Sequence, residues 1–319
     1  MDRITPPNFK PEIDRLRGFA ILLVVVSHML ALSKDTLLGG AFYTATRGAT
    51  WPFVFIAGYL FAHLCDRYTY ETYLRGKLQN VIAPYLIIVS LIVIAGLART
   101  EFTGPLEFWK YYSLGYTAAS PLWFIPMIIL IYLGFPCYRA LCNSHRLLLV
   151  VTGCAIILAM SSGRPSFDAG PLPNFVYFQS AFLFGLSWRV HQELFDALIE
   201  KYYPIIILLF VFGINVGMGP VAPFGRGQIF ALLPMTILLV AAMRADSPLN
   251  RIWEWLADRS FGIFFLHGVV TDQLNARFGR DNDAFLALIG GVALTFACGL
   301  LVSLVRHFAG PRSRLIVGA

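Results

Sequence analysis

The stretch Ile13–Leu32, IDRLRGFAILLVVVSHMLAL, decides the fold class, because it is long and apolar enough to cross a membrane as one helix. Arg17 and His28 lie inside it with only apolar or small residues between them. Their spacing is almost three helical turns, which puts both on one stripe, about 16 Å apart. Because charge in lipid is costly, we expect both to face the protein interior or a wet cavity. A snorkelling arginine and a hydrogen-bonded core histidine would give the same pattern.

The composition extends this interpretation to the whole chain. It is 57% hydrophobic and only 13% charged, whereas soluble domains carry about 25% charged residues. Apolar runs separated by short loops fill residues 1–319, which predicts a single all-α, polytopic membrane domain. The first run is not expected to be a cleaved signal peptide, because it is longer than the apolar core of such a peptide and lacks a small-residue cleavage site.

The apolar runs predict about ten transmembrane helices, of which the ninth is the weakest by hydropathy. Their predicted bounds are 13–33, 46–65, 81–98, 120–137, 147–162, 173–190, 203–219, 227–243, 257–275 and 284–306.

The basic residues predict the orientation of these helices. Eight of the 25 Lys and Arg residues fall on one side, leaving 17 on the other, where both termini lie. The eight are Lys34, Arg47, Arg99, Lys110, Arg164, Arg226, Arg277 and Arg280. The positive-inside rule therefore predicts that both termini are cytoplasmic. It also explains the net charge of +7 without a nucleic-acid partner.

His28 and His267 are the two histidines inside predicted spans, and an intramembrane histidine is a functional hypothesis by default. Imidazole can take and return a proton near neutral pH, which suits it to activating a hydroxyl. Ser260 lies close to the stripe of His267, about 10 Å away along the helix. The sequence has no G-x-S-x-G or H-E-x-x-H motif, and its five scattered cysteines imply no metal site. We therefore expect direct transfer between two substrates, with no serine intermediate and no metal.

Three further features carry expectations. Arg75 and Lys77, in the loop after the second span, could bind the phosphates of a cytosolic cofactor, or could reflect the positive-inside bias alone. Ala57 and Gly58 in mid-span predict close helix packing. Trp123 is expected to be an interfacial anchor at the outer face.

The chain resembles the acyltransferase-3 family of membrane acyltransferases, which includes surface-polysaccharide O-acetylases. The motifs that carry the resemblance are Ile13–Ala20 followed by His28 (Arg-x10-His), Phe53–Leu60, Ala83-Pro84-Tyr85, Leu122-Trp123-Phe124 and Ser260 through His267. They are spread over most of the chain in the family's order. Two positions depart from the family pattern: Ala57 replaces a serine, and Lys77 and Asn80 stand where relatives often have an Arg-x-x-Arg pair.

The resemblance implies ten core helices and an enzyme that transfers an acyl group, usually acetyl, from cytoplasmic acyl-CoA to a carbohydrate. Arg17 and His28 carry over directly from the family motif as catalytic candidates, and His267 is a second candidate. Arg17, Arg75 and Lys77 are the candidates for binding the donor, with Arg75 as a substitute for the incomplete arginine pair. Asp14 and Ser260 are expected to orient these groups. The resemblance also implies the inner membrane of a bacterium, with a surface glycan or lipid-linked glycan precursor as acceptor and membrane lipids as surroundings. It does not indicate an oligomeric state.

Two other classes of function remain open at the level of sequence. In a transporter or flippase, Arg17 and His28 would line a translocation path. In a non-catalytic subunit of a glycan export system, His28 would have no role in acylation.

Overall fold

The computed structural model describes residues 10–29, 46, 48–98, 105–166, 168–218, 224–278 and 284–318. Within these ranges the chain forms helices and turns without a β-strand, which confirms the expected all-α class. The α-helices are α1 Pro11–Met29, α2 Thr50–Leu64, α3 Tyr70–Lys77, α4 Ala83–Ala98, α5 Pro105–Leu114, α6 Phe124–Leu133, α7 Phe135–Cys142, α8 His145–Ser162, α9 Pro171–Val190, α10 Gln192–Met218, α11 Phe224–Arg244, α12 Asn250–Phe278, α13 Ala284–Ala309 and α14 Ser313–Val317. A π-helical segment, Leu78–Ile82, joins α3 to α4.

Five helical stretches in the described ranges are long and apolar enough to cross a membrane, and a pair bent by 58° would make a sixth. The five are Tyr70–Ala98, His145–Ser162, Gln192–Asn215, Gly227–Arg244 and Leu288–Val317; the bent pair is Ser120–Leu133 with Phe135–Cys142. Each predicted span overlaps a helix, although the end of the first, beyond Met29, lies outside the described residues. The count of ten spans and the orientation stay predictions.

Helices α1, α2, α9 and α12 are absent from the five candidates, and they carry much of the buried interior. A helix that packs against other helices can carry polar groups that a lipid-facing helix cannot. α1, for example, carries Arg15, Arg17 and His28 among residues that are otherwise largely buried. Polar groups thus lower the hydropathy of inner helices such as α1, whereas α2, with 15 residues, is short for a span.

Helix α1 packs chiefly against α12 and also touches α2, α11 and α13. Near its start, Arg15 holds two neighbours: Nε donates to Glu254 Oε1 at 3.0 Å, and Nη1 donates to the Met243 carbonyl at 3.0 Å. A Cβ at Gly18 would overlap the Trp253 carbonyl, so the two backbones touch there. Farther along, the His28 and His267 rings lie 5.4 Å apart. The two helices therefore run side by side in the same direction.

Gly58 and Gly185 allow α2 and α9 to cross at backbone contact. A Cβ at Gly58 would overlap the carbonyl of Phe182, and a Cβ at Gly185 would overlap that of Phe55. The close packing predicted at Gly58 is therefore confirmed, and it fixes α2, which also forms part of the site described below.

Replacing Gly58 with valine should lower the stability of the fold by about 3 kcal/mol or more, because rigid backbone on the facing helix cannot move aside as a side chain can. Thermal unfolding in detergent measures the effect. Gly153→Val is the matched control, since a Cβ at Gly153 on α8 meets nothing within 4 Å. Equal unfolding temperatures for the two variants would contradict the packing argument.

Candidate active site

One cavity of about 580 Å³ lies between α1, α2, α3, the π-helical segment, α6, α12, the end of α13 and the C-terminal residues. Its wall is largely apolar, with residues such as Val24, Phe53, Ile56, Leu60 and Phe124. Its polar and charged lining residues are Arg17, His28, Thr50, Thr72, Lys77, Asn80, Asp258, Ser260, Arg306 and Arg314. A pocket of this size, mostly apolar with few polar groups, is typical of a small-molecule site.

Arg17 and His28 both line this cavity, as their shared stripe on α1 predicted. Nη2 of Arg17 lies 2.9 Å from Oδ1 of Asp14, one turn earlier on the same helix. Since about 16 Å of helix separates Arg17 from His28, the cavity is elongated along α1. A bound molecule could therefore place a charged part near Arg17 and a reacting part near His28.

His267 lies behind His28, not on the cavity wall. It is fully buried on α12, and its Nδ1 lies 3.1 Å from the carbonyl oxygen of Ile263. In the neutral ring that contact makes Nδ1 the donor, which leaves Nε2 as an acceptor. Nε2 has no hydrogen-bond partner among the described residues. With its ring 5.4 Å from that of His28, His267 is placed to influence the imidazole that faces the cavity.

Ser260 lines the cavity, but its hydroxyl is already used. Its Oγ donates to the carbonyl of Ala257 at 2.9 Å. Ser260 thus lies on the cavity wall, whereas His267, expected on the same stripe of the helix, is buried behind the wall. The arrangement does not pair this hydroxyl with an imidazole, as a serine nucleophile would require.

Arg75 and Lys77 were predicted to lie in a loop, but both are on helix α3, and their environments differ. Lys77 lines the cavity, with Nζ 5.1 Å from the Tyr73 ring centre and 4.6 Å from that of Tyr132. Arg75 is exposed and lies outside the cavity wall. Both residues were predicted to bind the donor, but only Lys77 lines the cavity.

Several lining residues were missed or misread from the sequence. Asp258, Arg306 and Arg314 also line the cavity, although the arginines had been interpreted only as topology signals. Arg306 is paired with Asp258. The prediction that Trp123 is an interfacial anchor is wrong. This side chain is 8% exposed and lines the cavity, and the centre of its ring lies 5.7 Å from that of the Phe178 ring. The motif Leu122-Trp123-Phe124 already included Trp123, and the proximity of Asp258 to Ser260 in sequence could have pointed to Asp258.

The charged groups gather at the Arg17 end of the cavity. Ala257 packs beside Gly18, one residue after Arg17, and Asp258 follows Ala257 in the chain. Arg306 is paired with Asp258 and therefore lies at the same end of the cavity. Gly318, next to the Arg314 helix, approaches the Asn80 carbonyl and Phe261, one turn after Asp258. The cavity therefore has a cation-rich end and an imidazole end.

Comparison with known proteins gives one match. A family profile described as an acyltransferase domain, that of the acyltransferase-3 proteins, matches residues 10–304. Searches of curated proteins and of solved structures find no significant match.

Proposed function

This chain belongs to the acyltransferase-3 family, and from that premise we propose that it is a membrane O-acyltransferase. It moves an acetyl or similar acyl group from acyl-CoA to a hydroxyl of a cell-surface glycan or its lipid-linked precursor, in the inner membrane of a bacterium. The observation that carries the proposal is the shared cavity, with Arg17 and further cations at one end and His28 at the other. That polarity suits a donor with an anionic part and a reacting thioester.

In this proposal His28 is the general base. It takes the proton from the acceptor hydroxyl as the hydroxyl oxygen attacks the thioester carbonyl carbon. The carbon–sulfur bond then breaks, the acyl group stays on the acceptor oxygen, and the departing CoA thiolate takes the proton back from His28. No covalent enzyme intermediate is required, in keeping with the hydrogen bond that occupies the Ser260 hydroxyl.

In this step Arg17 acts on the donor, and His267 acts on the His28 ring. The Arg17 guanidinium, held by Asp14 at 2.9 Å, orients anionic or carbonyl oxygens of the donor. His267 is a positioning residue, because its ring lies beside that of His28 but does not line the cavity. We therefore expect His267 to restrict the orientation of the His28 ring through the contact between the two rings.

The test compares cells that produce the native chain with cells that lack it, by mass spectrometry of their surface and lipid-linked glycans. We expect an added acyl mass only with the native chain, and release of CoA from acyl-CoA by the purified protein in nanodiscs when that glycan is supplied. A transporter would release no CoA. A non-catalytic subunit would support full acylation with His28 replaced, and either result would overturn the proposal.

Lys77→Ala should raise the dissociation constant of acetyl-CoA about tenfold, because hydrogen bonds to charged groups contribute more when partly shielded from water. Arg75→Ala should change it less than about twofold, since exposed ion pairs contribute little. Equilibrium binding of labelled acetyl-CoA to protein in nanodiscs measures both. Equal effects of the two substitutions would mean that the donor contacts the exposed face of α3 and not the cavity. Binding to the native protein should also weaken with added salt.

A further inference from the structure

The C-terminal residues pack against segments that line the cavity. After α13, the short 3₁₀ turn Gly310–Arg312 leads into α14, Ser313–Val317, which packs against α4, the π-helical segment, α12 and α13. Ser313 and Val317 are buried, at 4% and 3% exposure. Gly318 follows with φ of 68°, and a Cβ there would lie 2.6 Å from the Asn80 carbonyl. The segment is therefore docked on the chain that directly follows Lys77.

This docking brings Arg314 to the same cavity as Lys77. Arg314 is exposed and lines the cavity, whereas Arg312, two residues earlier, is exposed and does not line it. Arg314 also lies beyond residues 10–304, the part of the chain that the family profile matches. It is thus a feature of this chain that the family match does not include.

The four Lys and Arg side chains on the cavity wall differ in their partners. Arg17 is paired with Asp14, and Arg306 is paired with Asp258. Within the described ranges, neither Lys77 nor Arg314 has a carboxylate within 4 Å. Lys77 is instead flanked by two tyrosine rings, which attract a cation but do not neutralise its charge. The unbalanced positive charge of the wall is therefore concentrated on Lys77 and Arg314.

We propose that Lys77 and Arg314 together form a phosphate-binding site at the mouth of the cavity, and that the C-terminal segment 313–318 is part of the donor site. The proposal rests on the proposed function, because it takes the ligand to be the phosphates of acyl-CoA. An ammonium and a guanidinium contributed by two different segments suit phosphate, since the guanidinium fork binds two oxygens and the ammonium acts as a point charge. The same chemistry would also fit the phosphate of a lipid headgroup.

The experiment measures binding to the full chain in phosphatidylcholine nanodiscs with three probes: acetyl-CoA, pyrophosphate and S-acetylpantetheine, which carries the thioester but no phosphate. Arg314→Ala should weaken acetyl-CoA binding about 3- to 10-fold, and the double variant with Lys77→Ala more than either change alone. Arg314→Lys should weaken binding less than Arg314→Ala does, because the charge stays while the two parallel contacts to phosphate are lost. Arg312→Ala is the matched control and should bind as the native protein does. S-acetylpantetheine should bind equally to all variants.

The outcomes separate this inference from the proposed function. Native affinity for acetyl-CoA in the double variant would overturn the phosphate site while leaving the acyltransferase proposal intact. An equal loss for acetyl-CoA and S-acetylpantetheine would also overturn it, because the defect would not concern phosphate. If native protein binds pyrophosphate but not acetyl-CoA, and the variants lose pyrophosphate, the anion site stands and the acyl-CoA function fails. If phosphatidylglycerol in the nanodiscs displaces pyrophosphate and acetyl-CoA does not, the ligand is a lipid headgroup and the assignment to the donor is overturned.

Discussion

Replacing His28 with alanine should lower the rate of acyl transfer by at least about 100-fold, because general acid–base catalysis contributes about 10²–10⁴-fold. The imidazole lines the cavity at the end opposite the charged residues, where the reacting groups would meet. Its removal enlarges a space that is already open, and so the fold should persist. The measurement is acyl transfer by protein in nanodiscs, together with the acyl mass on glycans in cells.

His307→Ala is the control for this experiment, since His307 is an exposed histidine at the end of α13 and lies outside the cavity wall. It should transfer acyl groups at the native rate. The unfolding temperatures of both variants should match that of the native protein. Near-native turnover with alanine at position 28 would remove His28 from the mechanism and favour a structural role for the histidine.

The relation between Arg17 and His28 could be predicted from the sequence because it depends only on helical periodicity. Two residues on one stripe of one helix share a face wherever the helix lies. The close contact at Gly58 was predictable for a similar reason, since small residues in a membrane helix favour close approach. Such inferences concern a single element and need no knowledge of its neighbours.

The rest of the site depends on how distant segments meet. Charge and hydropathy do not distinguish Lys77 from Arg75, yet only Lys77 faces the cavity. Trp123 has the composition of an interfacial anchor, but its ring is buried against Phe178. Arg314 follows the last predicted span, and only the packing of the C-terminal segment on its neighbours brings it to the wall. These placements follow from tertiary packing, which the hydropathy of a single run does not encode.

Replacing Arg17 with lysine should lower kcat/KM for acyl transfer about tenfold or more, although the charge is retained. A guanidinium carries five N–H donors in a planar fork, so that it can hold Asp14 at 2.9 Å and still present donors to the cavity that it lines. A lysine ammonium is a single point of charge. Paired with Asp14, it would no longer offer two parallel contacts to a phosphate or carbonyl.

The competing explanation is that Arg17 only anchors α1 through its contact with Asp14, in which case lysine should serve equally well and kcat/KM should be unchanged. Arg15→Lys is the matched control, because Arg15 also bonds neighbouring groups, Glu254 and the Met243 carbonyl, but does not line the cavity. That variant should keep native kcat/KM even if its unfolding temperature falls. A loss confined to Arg17→Lys, at native unfolding temperature, would assign the guanidinium to the bound substrate and not to the packing of the helix. An equal loss in both variants would contradict the assignment, because Arg15 does not line the cavity.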